Sequence, residues 1–232
     1  IMANYVSQQT ATQTAAATLM KSVYMQMAAA LTITGLVSYF LSNSIQFWTM
    51  LAQNPSIIWI SLIAQIVLVI WLSARLVKMS MTGATLLFIL YSALMGVTMS
   101  SIFMVYTTAS IASVFFITAG TFLVMSLIGY FTRIDLTRIG SILVMALIGL
   151  IIASVVNIFL GNEVLYWVIS YVGVLVFVGL TAYDTQKIKQ MVAEYGSVDE
   201  MGHKLALFGA LSLYLDFVNL FLYLLRIFGD RR

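Results

Sequence analysis

Long apolar runs separated by short polar interruptions set the pattern of this chain. The runs cover Val23 to Leu41, Ser56 to Ala74, Ala84 to Tyr106, Ile111 to Phe131, Ile139 to Leu160, Val164 to Tyr183 and Leu205 to Phe228. A spanning helix needs about 20 apolar residues, so each run is long enough to cross a bilayer. Closed barrels also satisfy every backbone group in lipid, but their strands alternate polar and apolar residues over about ten positions. These runs do not alternate. The expected fold is therefore all-α, a polytopic seven-transmembrane helix bundle, with a polar N-terminal segment over residues 1–22 and one transmembrane domain over residues 23–232. Within the first segment, Asn4 to Thr18 is rich in Gln, Thr and Ala, too polar to span and too short to pack alone, and reads as flexible or as the start of an interfacial helix. The single proline, Pro55, precedes a span, where it begins a helix without losing a needed hydrogen bond.

Composition agrees: 62% of residues are hydrophobic and 8% charged, against about 25% charged in a soluble domain. The lipid bilayer is the expected solvent and partner. The chain has no cysteine, and one histidine, His203, cannot form a cluster, so zinc, haem and thiol chemistry are not expected and no cofactor is assigned. Net charge is +3, and Lys187 and Lys189, placed in the loop after the sixth span, form no run able to hold a phosphate backbone, so nucleic acid is excluded. No phosphate loop, catalytic triad or nucleotide fingerprint is present, and no enzyme activity is expected. The start has no charged region ahead of a cleavage site, so the first span is expected to be retained. Charges between spans alternate: Lys21, Arg75 with Lys78, Arg133 with Arg138, and Lys187 with Lys189 and Lys204 fall on one side, leaving Glu163 on the other. The positive-inside rule then puts the N-terminus in the cytoplasm. Seven spans place Arg231 and Arg232 outside, against that rule, and a re-entrant last segment is the alternative that returns them.

Two carboxylates stand apart from the charges at span ends. Asp216 lies about eleven residues into the last span, where its short side chain cannot reach the headgroups. An ionised carboxylate at the bilayer centre costs about 2.5–3.5 kcal/mol, so it is expected to face the bundle interior or a wet cavity. Helical steps from Asp216 reach Ser212, Asn219, Tyr223 and Arg226, a polar stripe expected to line a cavity or pore. The plain alternative is an interhelical hydrogen-bond cluster, worth about 0.6 kcal/mol per contact. On the sixth span Ser170, Gly173, Thr181, Asp184 and Lys187 share a face. Counted from Gly196 and Gly202, the two aspartates come nearly level on antiparallel helices, although a capping box from Ser197 and Glu200 would shift that register. Two carboxylates in one low-dielectric site cannot easily both ionise, so the pair is expected to share a proton and to sense pH. Arg75, at the cytoplasmic end of the second span, is the candidate gating partner, its alternative being a headgroup anchor. Gln65, deeper in that span, reads as a packing residue.

The stretches Leu180-Thr-Ala-Tyr-Asp-Thr-Gln-Lys-Ile-Lys189 and Ala210-Leu-Ser-Leu-Tyr-Leu-Asp-Phe-Val-Asn-Leu-Phe-Leu-Tyr-Leu-Leu-Arg-Ile-Phe-Gly229 resemble the two signatures of the Bax inhibitor family, also called TMBIM, in its bacterial branch. The resemblance runs from about Val23 to the end. It implies a seven-helix fold in which Asp184 and Asp216 match the family's paired aspartates and Arg75 matches an arginine that bonds to them. It also implies a pH-sensitive calcium leak in the bacterial inner membrane, suppression of cell death in eukaryotic members, and, for bacterial members, regulation of a membrane-bound AAA protease. Where relatives carry an acidic residue in the second span, this chain has Ala64 and Gln65.

Three functions compete on these residues. The first is a passive, pH-gated calcium or other cation leak: Asp184 and Asp216 supply hard oxygen ligands for a weak calcium contact, with Ser212 and Asn219, too few for a tight cage. The second is an interaction protein regulating a membrane protease or a stress pathway, with the polar N-terminal segment as its handle. The third, an intramembrane aspartyl protease, is disfavoured because the second aspartate sits in Tyr214-Leu215-Asp216 where such proteases have Gly-x-Gly-Asp, and no Pro-Ala-Leu element is present.

Overall fold

The computed structural model describes the backbone of residues 2–232 and the side chains of residues 12–232. It contains α1 (Met2–Ser42), α2 (Ile45–Gln53), α3 (Ser56–Arg75), α4 (Met81–Met99), α5 (Ile102–Val105), α6 (Thr108–Phe131), α7 (Thr137–Leu160), α8 (Glu163–Tyr195) and α9 (Glu200–Phe228), with a 3-10 turn at Leu76–Lys78. Among the described residues, seven helices are long and apolar enough to cross a membrane, running over Thr12–Ser42, Ser56–Lys78, Met81–Val105, Thr108–Phe131, Thr137–Leu160, Glu163–Tyr195 and Glu200–Phe228. The protein is an all-α, multi-pass membrane protein. The side chains of Asn4 to Ala11, most of the stretch read as flexible or interfacial, lie outside the described residues, while the α1 backbone is helical from Met2.

Helix ends follow local chemistry. Ser44, Ser80 and Thr107 each accept a hydrogen bond from the backbone N–H three residues on, capping α2, α4 and α6. Gly161 ends α7 at φ 59°, a left-handed conformation that glycine adopts without a Cβ clash. Gly196 ends α8 in the same way at φ 68°. Lys187 and Lys189 lie within α8 and not in the loop expected for them, because the helix continues to Tyr195. Lysines end an apolar run but are good helix formers, so the membrane segment stops before the helix does. The α8–α9 turn is only residues 196–199, and Asp199, rather than a Ser197–Glu200 capping box, caps α9 by accepting from Gly202 N–H at 2.9 Å.

By packing, the chain divides into two units: residues 1–105, 191–214 and 232, and residues 106–190 and 215–231. In the first, Thr34 of α1 is a junction. Its hydroxyl lies 2.7 Å from the Tyr214 hydroxyl and 2.9 Å from the Ser92 carbonyl oxygen, and the rings of Phe88 and Tyr91 meet Tyr214 edge-on. Gln65 of α3 donates to Thr98 Oγ1 at 2.6 Å and to Ser61 Oγ at 3.2 Å, which ties α3 to α4. These buried groups thus find partners on neighbouring helices, as lipid favours.

In the second unit α8 is the common partner. Gly129 of α6 lies against the backbone of Ala182, Gly140 of α7 against the ring of Tyr183, and Gly173 of α8 against Tyr223 of α9. Small residues let membrane helices approach closely where hydrophobicity alone gives no drive to associate. Phe115 and Phe122 of α6 meet Phe217 of α9 edge-on, with both ring-centroid distances 5.5 Å. Among the spans α7 is the most exposed, with only 6% of its most apolar window buried, against 67% for α9.

Candidate functional site

Asp184 and Asp216 belong to the same packing unit, on α8 and α9. Asp216 is 5% exposed and its Oδ2 has no hydrogen-bond partner among the described residues. It lies 12 residues from the end of α9 at Phe228, about 18 Å along the axis, near the middle of a hydrocarbon core about 30 Å thick. Asp184 is half-buried and directly follows Ala182 and Tyr183, the two points where α6 and α7 press on α8. That contact fixes its helix face.

The register between the two helices follows from Tyr223, whose ring stacks on Phe177 at 5.8 Å and covers Gly173. Counting back along antiparallel helices from that contact puts Asp216 roughly level with Leu180 to Ala182, within about one turn of Asp184. Side chains on a helix lean toward its N-terminus, so on antiparallel helices these two lean toward each other. The two carboxyls lie within electrostatic reach of one another. Lys187, one turn past Asp184, is a cation within reach of that carboxyl and also sits 5.8 Å from the Tyr183 ring.

The other stripe residues occupy the same faces. Thr181 is fully buried and donates to the Phe177 carbonyl at 2.7 Å; Asn219 is half-buried and donates to the Leu215 carbonyl at 2.8 Å. Ser212 is half-buried, in the part of α9 that belongs to the first unit. Arg226 lies over the rings of Tyr223 and Tyr166, at 5.1 and 5.7 Å. Arg75 ends α3 in the first unit, is exposed, and makes no ion pair among the described residues, where the one salt bridge is Lys204 to Glu200 at 2.9 Å. No group of three or more His, Asp or Glu that could hold a metal ion occurs among the described residues.

Comparison with known proteins decides the family. The family model described as inhibitor of apoptosis-promoting Bax1 matches residues 16–232. The chain belongs to the Bax inhibitor family. It is 52% identical over 216 residues to the inner membrane protein YbhL of Escherichia coli K12, covering 93% of this chain and 92% of that one. A Borreliella burgdorferi protein is 47% identical over 210 residues, covering 90% of each chain, and one from Deinococcus radiodurans is 37% identical over 214 residues, covering 92% and 91%. The family assignment agrees with the resemblance carried by the stretches around Asp184 and Asp216.

Within this family fold, the structure adds residues that the sequence reading passed over. On α6 Ser110, Thr118 and Ser126 recur at eight-residue intervals and are buried, with Thr118 fully enclosed. Ser126 Oγ accepts from Thr185 Oγ1 at 3.4 Å, next to Asp184 in sequence. The signal was present as a helical repeat of hydroxyls in the fourth span. At the other side of α8, Gln186 accepts from Leu136 N–H and donates to the Ile134 carbonyl, both at 2.8 Å, while Lys189 donates to the Tyr130 carbonyl at 2.6 Å. These bonds hold the α6–α7 connection against α8 one turn beyond Asp184.

Proposed function

We propose that this protein is a pH-sensitive leak for calcium or another cation in the bacterial inner membrane, with Asp184 and Asp216 as its sensor and ion contact. The observation that carries this reading is Asp216. An acid in the bilayer interior costs about 2.5–3.5 kcal/mol, while an interhelical polar contact returns about 0.6 kcal/mol. One oxygen of Asp216 makes no such contact among the described residues, so packing does not offset the cost of keeping an acid there. A second carboxyl within electrostatic reach gives the acid a use: the two share a proton at low pH and, on losing it, become an anionic oxygen pair that draws in a hard cation. Arg75 is the proposed competitor for the deprotonated pair, releasing it when the proton returns.

The test is calcium flux into dye-loaded proteoliposomes across a pH series. Flux above protein-free vesicles that changes with pH and is lost in Asp216→Asn is expected. Flux equal to that of empty vesicles at every pH would sink the reading.

A further inference from the structure

Away from the aspartates, the second packing unit holds a polar cavity of about 290 Å³ where α7 ends, α8 begins and the C-terminal tail returns. It is lined by Asn157, Asn162, Glu163, Tyr166, Trp167 and Arg231. The tail is pinned there: Thr107 N–H donates to the Asp230 carbonyl at 3.1 Å, Asp230 N–H donates to Ser110 Oγ at 2.9 Å, and Arg231 bridges to Tyr106. The Arg231 guanidinium donates to the Tyr166 hydroxyl at 3.4 Å. Its position is therefore held before any guest arrives.

The donors and acceptors of this cavity have a definite sense. The side-chain oxygens of Asn157 and Asn162 already accept from the backbone N–H groups of Asn162 and Leu165, which leaves their NH2 groups as the donors available to a guest. With Arg231 and the Tyr166 hydroxyl they form a donor set for anionic oxygens. Glu163 is the one acid of the lining, and among the described residues it makes no ion pair, with Arg231 or with anything else. Opposite charges that share a cavity without meeting are matched by a guest carrying both signs.

Depth selects the kind of guest. The cavity sits at span ends, beside Phe159, Leu160, Val164 and Val168, exposed by 85%, 65%, 73% and 51% as lipid-facing residues are. Trp167 and Tyr166 are the residue types that sit at headgroup level. The volume is at the low limit of ligand pockets, about 300 Å³, which suits a headgroup rather than a whole lipid. Arg231, with its neighbour Arg232, also stands against the charge bias of the chain, on the side where the loops between spans carry no cation, so the positive-inside bias does not explain it.

We infer that this cavity binds a phosphoethanolamine zwitterion, the headgroup of a membrane phospholipid, with the phosphate on Arg231, Asn157 and Asn162 and the ammonium on Glu163. The test is native mass spectrometry of the full chain in detergent, titrated with phosphatidylethanolamine, phosphatidylglycerol and soluble glycerophosphoethanolamine. The wild type is expected to bind the ethanolamine lipid about tenfold more tightly than the glycerol lipid, the worth of one charge-assisted hydrogen bond. Glu163→Gln should erase that preference while still binding both lipids, and Arg231→Gln should weaken both. Because Glu163 is exposed and tests the preference alone, the inference stays open to refutation if Arg231→Gln does not fold. Equal binding of the two lipids by the wild type, or an unchanged preference in Glu163→Gln, overturns it. Glycerophosphoethanolamine binding as tightly as the lipid supports the site and assigns it to a soluble occupant.

Discussion

Gly129 lies against the backbone carbonyl of Ala182, so α6 and α8 touch through their main chains two residues before Asp184. No side chain separates the helices there. The next residue, Tyr183, fills the space over Gly140 of α7. Asp184 is thus aimed by two close approaches, each of which depends on a missing Cβ.

A methyl group at Gly129 must move backbone, not a flexible side chain. Gly129→Ala is expected to cost about 1–3 kcal/mol, the range for overpacking a tight contact. Gly120→Ala, where a Cβ meets nothing within 4 Å, should be neutral or gain up to about 1 kcal/mol from lower backbone entropy. Thermal unfolding of the two purified variants in detergent checks the pair. Equal stability of both would remove the packing argument.

The acidic pair is expected to titrate as a unit, so Asp184→Asn and Asp216→Asn should each remove most of the pH response of flux. The comparison is made in proteoliposomes over the same pH series as the wild type. Two single variants that both retain the wild-type profile would remove the sensor assignment.

Arg75→Ala is expected to shift the midpoint of pH-dependent flux, because a planar two-pronged donor no longer competes with the proton. Arg75→Lys keeps charge without that geometry and should shift it less. An unchanged midpoint and amplitude in the alanine variant would reduce Arg75 to an anchor among the headgroups.

Because the chain has no cysteine, single introduced cysteines report sidedness without background. With the N-terminus in the cytoplasm, Ser197→Cys, in the α8–α9 turn, should resist a membrane-impermeant maleimide in intact cells. Asn54→Cys, ahead of α3, should react. The reverse pattern would invert the proposed orientation.

The α8–α9 turn should loosen in acid. Asp199 accepts from Gly202 N–H and from the Tyr195 hydroxyl, and these bonds hold its carboxyl below the usual carboxylate range. A depressed folded-state value means the stabilisation is fully present above the unfolded value of about 3.9 and is lost as pH falls through the lower folded value. Amide exchange at Gly202 should accelerate below about pH 4 relative to Asp199→Asn, whose side chain does not titrate. Matching exchange profiles would show that this carboxylate does not hold the turn.

The apolar runs by themselves determined that the chain is an all-α membrane protein with seven spans, since about 20 apolar residues in lipid leave the backbone no other way to satisfy its hydrogen bonds. The stretches around Asp184 and Asp216 likewise identified the family, because residue identity at fixed spacing is a property of the chain alone. Where a helix ends was a different matter. Hydropathy reports where lipid stops, so Lys187 and Lys189 marked the end of an apolar run while α8 ran on to Tyr195. The start of the last helix was open for a similar reason, since its cap comes from Asp199 through a local hydrogen bond that several nearby polar residues could equally have made. Tertiary structure decided the register of α8 and α9, set by Tyr223 against Gly173 and Phe177, and with it that the two carboxyls come within reach. It also brought the C-terminal tail to Tyr106 and Tyr166 at the end of a continuous α9. Periodicity records which face of a helix is polar, but the neighbour that face meets depends on side-chain shape at contacts far apart in sequence, and that information exists only once the helices are packed.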